Sequence, residues 1–137
     1  MGQQQLLLLV LGIIIVGLAV VLGITVFGER FRAEQADDLL NRNVHIAQEA
    51  INWRARATVF AGGGGGAFDP LGTDGLERLG FGETDINGEY AIQSASGTTL
   101  EIVGVSTRFH GVGAYVRISG NEIDSTAVSF SGEIALP

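Results

Sequence analysis

The chain has 137 residues, no Cys, and eight basic residues that are all Arg, against fifteen acids, for a net charge of −7. That length leaves room for one small domain beyond any membrane segment, and the missing thiols exclude a disulfide framework and any Cys-based metal or redox site. Residues 29–61 carry five acids and five Arg, so the excess negative charge lies on the C-terminal half, which argues against nucleic acid as a partner because phosphate binding needs a basic stripe.

The first 28 residues are uncharged, and from Leu6 to Phe27 only Thr25 is polar. Seventeen of those 22 residues are Leu, Ile, Val or Phe, which favours bilayer insertion by about 5–10 kcal/mol. As a helix the run is about 33 Å long, enough to cross a bilayer core. Gly12, Gly17, Gly23 and Gly28 are spaced by five, six and five residues, so no GxxxG dimer motif is present. They either admit close neighbouring helices or mark a stretch that unwinds between Gly17 and Gly23. With no Pro in the run, a continuous or gently bent helix is expected there.

No Pro or turn signal separates this run from the next. From Glu29 to Phe60 the positions Leu40, Val44, Ala47, Ile51, Ala55 and Val59 form a helical stripe. It leaves Asp37, Asp38, Arg42, Glu49 and Arg56 on the opposite face, with Asp38 and Arg42 as an i,i+4 pair. The helix is expected to end at the glycines Gly62–Gly66. Those glycines read as linker, flexible or tightly packed, because no Lys-Ser/Thr follows and no strand precedes them.

Residues 62–88 form a punctuated loop that admits one helical turn between Gly75 and Gly80. Asp85-Ile86-Asn87-Gly88-Glu89 reads as an Asn-Gly turn rather than a calcium loop, since the EF-hand spacing is missing. Period two then sets in over Glu89–Ala95, Thr99–Ser106, Val112–Ser119 and Ile123–Ser131. Short links between four such runs predict an antiparallel meander. The seam is expected between Leu40, Val44, Ile51 and Val59 on the helix and Val112, Val116, Ile118, Val128 and Phe130 on the sheet. The fold class is therefore α+β, in four parts: 1–28, 29–61, 62–88 and 89–137. His45 and His110 have no nucleophile or partner motif, so neither an enzyme activity nor a cofactor or metal site is expected.

The run Gln3-Gln4-Gln5-Leu6-Leu7-Leu8-Leu9-Val10-Leu11-Gly12-Ile13-Ile14-Ile15-Val16, followed by a Gly-rich loop and a four-stranded sheet, resembles the type IV pilin-like family, which includes type II secretion pseudopilins. Family members are cleaved after a Gly and usually carry Glu as the fifth mature residue. With Met1 as the mature start, Gln5 stands at that position; with cleavage after Gly2, the candidate processing site, Leu7 does. The uncharged segment before the run favours Met1, because a removed basic leader would also resolve the conflict with Arg30 and Arg32, which by themselves favour the opposite topology. The resemblance implies assembly through Met1, Gln5, Leu6, Leu9, Ile13, Val16, Val20, Ile24 and Phe27. It also implies a prepilin peptidase, inner-membrane assembly machinery, residence in that membrane before assembly, and a homopolymeric extracellular filament afterwards. A secretion pseudopilin and a non-polymerising, membrane-anchored binding module are the alternatives. The filament's task stays open among adhesion, motility, DNA uptake and secretion.

Overall fold

The computed structural model describes residues 2–63, 65–72 and 74–137. In chain order it contains helix α1 (Gly2–Ala55), 3-10 turns at Thr58–Phe60 and Asp69–Gly72, the one-turn helix α2 (Gly75–Arg78), and strands β1 (Gly88–Ser96), β2 (Thr99–Ser106), β3 (Gly113–Ser119) and β4 (Glu122–Ser129). The chain divides into two compact units, one reaching Ala33 and one spanning Glu34–Pro137. The second unit is called the head below.

Within the head, α1 buries Ala36, Leu39, Asn43, Ile46, Ala47, Ala50 and Trp53. Apart from Ala47 these recur at three, four, three, four and three residues, which keeps them on one face of a 3.6-residue helix. The expected stripe is therefore rotated by about one residue. Leu40, Val44 and Ile51 flank the core, while Ala55 and Val59 are exposed. The rotation follows from two polar residues that take core-facing positions. Gln35 Nε2 donates to the Asn87 carbonyl at 2.6 Å, and Asn43 Nδ2 donates to the Ala114 carbonyl at 3.0 Å. An apolar count cannot register such positions, although they tie the helix to backbone carbonyls of the 85–88 turn and of β3.

α1 also stops earlier than Gly62. It closes at Ala55, and Gly63 and Gly65 then fold back on its last turn. Gly63 N–H reaches the Trp53 carbonyl at 2.8 Å and Gly65 N–H the Arg54 carbonyl at 2.6 Å, so two orphan helix carbonyls are satisfied. A Cβ on Gly63 would lie 2.9 Å from the Trp53 ring. Gly62 and Gly63 are thus packed tightly against the end of α1.

The sheet has the order β1-β2-β3-β4, antiparallel throughout, with irregularities between Ile92 and Ser94 and between Arg117 and Ile118. Tyr90, Leu100, Ile102, Ala114, Val116 and Ile118 meet the helix, and Phe68, Leu71 and Leu76 from the loop complete the core. Val112, Val116 and Ile118 are buried as expected, but Val128 and Phe130 are not. Thr126 and Val128 pair with Val116 and Ala114, so they point to the helix side. They are exposed because β4 is the edge strand and the helix does not cover it. The other edge is occupied, since Tyr90 N–H bonds the Glu83 carbonyl and Thr84 bridges Glu89. On the opposite face Ile134 packs over Gly113, and Leu136 and Pro137 line a cleft along β1 together with Tyr90, Ala91, Leu71 and Leu76.

Candidate functional site: the apolar half of α1

Residues 2–33 lie on one unbroken stretch of helix, including the expected continuity from Gly12 to Gly23. Every large apolar side chain in it is exposed, from Val10 at 46% to Ile24 at 69%. Leu6, Leu9, Ile13, Val16, Val20, Ile24 and Phe27 share one face by their spacing. They are exposed to about the same degree as Leu7, Leu8, Ile15, Leu18, Val21 and Leu22 on the other faces. No face is therefore singled out. Gln5 is exposed, Gly2 opens the helix, and Met1 lies outside the described residues.

The chemistry of this stretch is that of an element made for an apolar surrounding. Its backbone groups are satisfied along the helix, and Thr25 Oγ1 returns a hydrogen bond to the Val21 carbonyl at 3.0 Å. Lipid demands that internal pairing, because no water is present to substitute for it. Among the described residues α1 is one helix long and apolar enough to cross a bilayer, and none of its apolar window is buried. A Cβ at Gly12, Gly17, Gly23 or Gly28 would meet nothing within 4 Å, so no contact within the chain requires these glycines.

The head holds one polar cluster that the sequence pattern does not reveal. Arg42 lies 4.8 Å from the Phe81 ring centroid and 6.0 Å from that of Tyr90, and its Nε stands 3.8 Å from Asp85 Oδ2. The expected solvent-facing Arg42 is therefore half-buried, and its ion pair reaches across to the 85–88 turn. Asp85 Oδ1 accepts from the N–H groups of Asn87 (2.7 Å) and Gly88 (2.9 Å), an Asx turn. It also accepts from the Tyr90 hydroxyl at 3.3 Å. Burial first, and the Asp85 charge second, push the Tyr90 hydroxyl well above its ordinary range. On the outer face, burial and a hydrogen bond to Glu101 likewise raise Tyr115. His45 meets Phe81 edge-on at 5.4 Å, whereas His110 sits in the β2–β3 loop. A cleft of about 410 Å³ opens beside Tyr90, Leu76 and Ile92, with Asp74, Glu83 and Glu89 in its wall. No group of three or more His, Cys, Asp or Glu among the described residues is placed to hold a metal ion.

Taken by class, a long N-terminal helix whose second half packs on a four-stranded antiparallel meander is a pilin-like layout. No family model, curated protein or solved structure matches the chain.

Proposed function

We propose that this chain is the structural subunit of a type IV pilus-like filament and works by assembly rather than catalysis. What supports the reading is one observation: a helix apolar on every side over residues 6–27 continues without a break into a half that carries a folded head. Before assembly the apolar half resides in lipid. On extraction it exchanges lipid for the same segment of neighbouring copies. The exchange brings little net hydrophobic gain, so close packing selects the partner. The head, which carries the acidic excess, faces solvent and keeps the filament soluble.

Negative-stain imaging of material sheared from cells that make the chain tests this reading. Long extracellular filaments containing the chain are the expected result. Short envelope-bound assemblies would favour a secretion pseudopilin. A monomeric detergent extract with no filaments would overturn assembly in favour of an anchored module.

A further inference from the structure

On the face of the sheet turned away from α1, two residues break the alternation of burial. Ile102 and Ala114 meet the helix, so their neighbours Val103 in β2 and Gly113 in β3 point the other way. Both are nevertheless buried, Val103 to 1% exposure, and Val103 has no place in the helix-side core. The cover comes from the residues that follow β4. Ile134 packs on Gly113, where an added Cβ would stand 3.0 Å from the Ile134 Cβ and 3.2 Å from its carbonyl oxygen. Leu136 and Pro137 then reach the cleft along β1, beside Glu89 and Ala91. β2 lies between β1 and β3, and Val103 and Val105 pair with Ala91 and Gly113. A segment that runs from β3 to β1 on this face therefore passes over Val103 and Val105. The two strands are about 10 Å apart, the span of three extended residues, so the segment lies straight across the strands.

That direction decides how the segment is held. A backbone lying across strands cannot join their ladder, and none of Glu133–Pro137 makes a hydrogen bond or ion pair among the described residues. Only Ile134 and Leu136 are half-buried; Glu133, Ala135 and Pro137 are exposed. Immediately before the segment the chain is fixed. Ser131 N–H bonds Ser129 Oγ at 3.3 Å, and Gly132 N–H bonds the Gly111 carbonyl at 3.0 Å. Gly132 has a φ of 83°, in the left-handed region open to glycine, and a Cβ there would meet only Gly111 Cα at 3.8 Å. A firm anchor and a permissive pivot thus precede five residues held by two side chains. Segments with so few buried contacts open locally at far lower cost than the whole fold. The strands beneath, by contrast, are tied into the ladder along their length.

We propose that residues 133–137 are a strap that lifts and reseats as one unit about Gly132 while the rest of the head stays folded. Closed, the strap braces β1, β2 and β3 from outside and keeps Val103 dry. Open, it uncovers a furrow floored by Ala91, Val103, Val105 and Gly113, and it removes the Leu136–Pro137 wall of the cleft beside Tyr90. The head therefore has two states that differ in the apolar surface of one sheet face and share the same helix-side core. The device belongs to a single head and stands whether or not the chain polymerises.

Because the chain has no Cys, one introduced thiol can report on each face of the sheet. Val103→Cys places it under the strap and Val116→Cys in the helix-side core, at sites 1% and 0% exposed. In the detergent-solubilised full chain, an aromatic disulfide reagent should modify Val103→Cys at least about tenfold faster than Val116→Cys, since local opening outpaces global unfolding. Urea below the unfolding transition should speed Val116→Cys and leave Val103→Cys nearly unchanged. Adding Ile46→Val, which weakens only the helix-side core, should likewise speed Val116→Cys alone. Adding Ile134→Ala/Leu136→Ala should speed Val103→Cys several-fold. Ala91→Cys, beneath the Leu136 end of the strap, takes the place of Val103→Cys should that variant fold poorly. Equal rates that rise together with urea or with Ile46→Val would mean that the strap opens only when the head unfolds, and would overturn the proposal. Modification of Val103→Cys as fast as an unfolded thiol would show that the strap does not close. No response to Ile134→Ala/Leu136→Ala would show that something else covers Val103, and either result also overturns it.

Discussion

Residues 6–27 and 34–55 belong to one helix, yet they solve different problems. The first stretch is apolar on all sides and buries nothing. The second is polar on one side and sinks Leu39, Ile46, Ala50 and Trp53 into a core. Their use of polar side chains differs as well. In the first, Thr25 turns inward to its own helix; in the second, Gln35, Asn43 and Arg54 reach outward to carbonyls of the head. An element bound for an apolar surrounding satisfies itself, and one bound for a fixed partner specifies that partner through hydrogen bonds. Sequence hydrophobicity separates the two stretches, since the first has no charged residue, but it does not show which polar side chains of the second face the core.

The strongest way to break the contrast is to place the same charge on both halves. Ile46 is fully buried, so Ile46→Asp buries an unpaired carboxylate and should destabilise the head by about 4 kcal/mol. Urea melts of the 34–137 fragment, followed by Trp53 fluorescence, would read the loss. Ile13→Asp in the full chain should leave the head's melt unchanged and instead lower the fraction of chain recovered in membranes, because an acid at the helix centre costs about 3 kcal/mol of insertion. If both variants melt alike, the two halves are not independent.

Second in size is Gly104→Ala. The new Cβ would lie 2.8 Å from the Tyr90 ring and 3.0 Å from Asn43 Oδ1, and overpacking of this kind costs about 1–3 kcal/mol. An unchanged midpoint would mean that Tyr90 and Asn43 are free to move, contrary to their burial. The strand order and the facing of β1, β2 and β3 were legible, since alternation at Tyr90 and Ile92 or at Val116 and Ile118 reports which side is dry. How far the cover extends was not. Alternation placed Val128 on the helix side correctly, but it says nothing of a helix too narrow to reach β4. The helix phase was missed because Asn43 and Gln35 count as polar while behaving as core. A spacing that tolerates one amide, 36-39-43-46-50-53, would have recovered it. The apolar run of the candidate site was plain from composition, whereas the choice of one assembly face within it has no counterpart in the exposures. Ile134 and Leu136, in a tail with no periodicity, left no signal at all.

A third test uses the Arg42 cluster. Arg42→Ala removes stacking on Phe81 and the ion pair to Asp85, a loss of about 1–2 kcal/mol. That is larger than an exposed swap, and a change below ~0.5 kcal/mol would return Arg42 to the solvent face. The same cluster sets an alkaline limit. Tyr90 ionises in the unfolded chain near its ordinary value of 10.0, but only at higher pH when folded. Above pH 10.0 the unfolded state therefore loses its proton first, and stability falls as pH rises. Below that pH both states are protonated and the group adds no slope. Tyr90→Phe should flatten part of the alkaline decline in melting temperature, and Tyr115, raised in the same direction, should account for more of it.

The smallest expected effect separates the two halves most finely. Gly17→Ala adds a Cβ that meets nothing within 4 Å, and Ala is the better helix former by about 1 kcal/mol. In the detergent-solubilised monomer the substitution should therefore be neutral or slightly raise helicity measured by circular dichroism, the opposite of Gly104→Ala. In the assembled state the outcome depends on what faces Gly17. If neighbouring helices approach closely there, the methyl group has no room, and filaments should become fewer or shorter although the monomer is at least as stable. If Gly17 only softens the helix, assembly should survive while the filaments lose extensibility under load. A destabilised monomer would contradict the open surroundings of Gly17 and with them the claim that this half of α1 has no partner within its own chain.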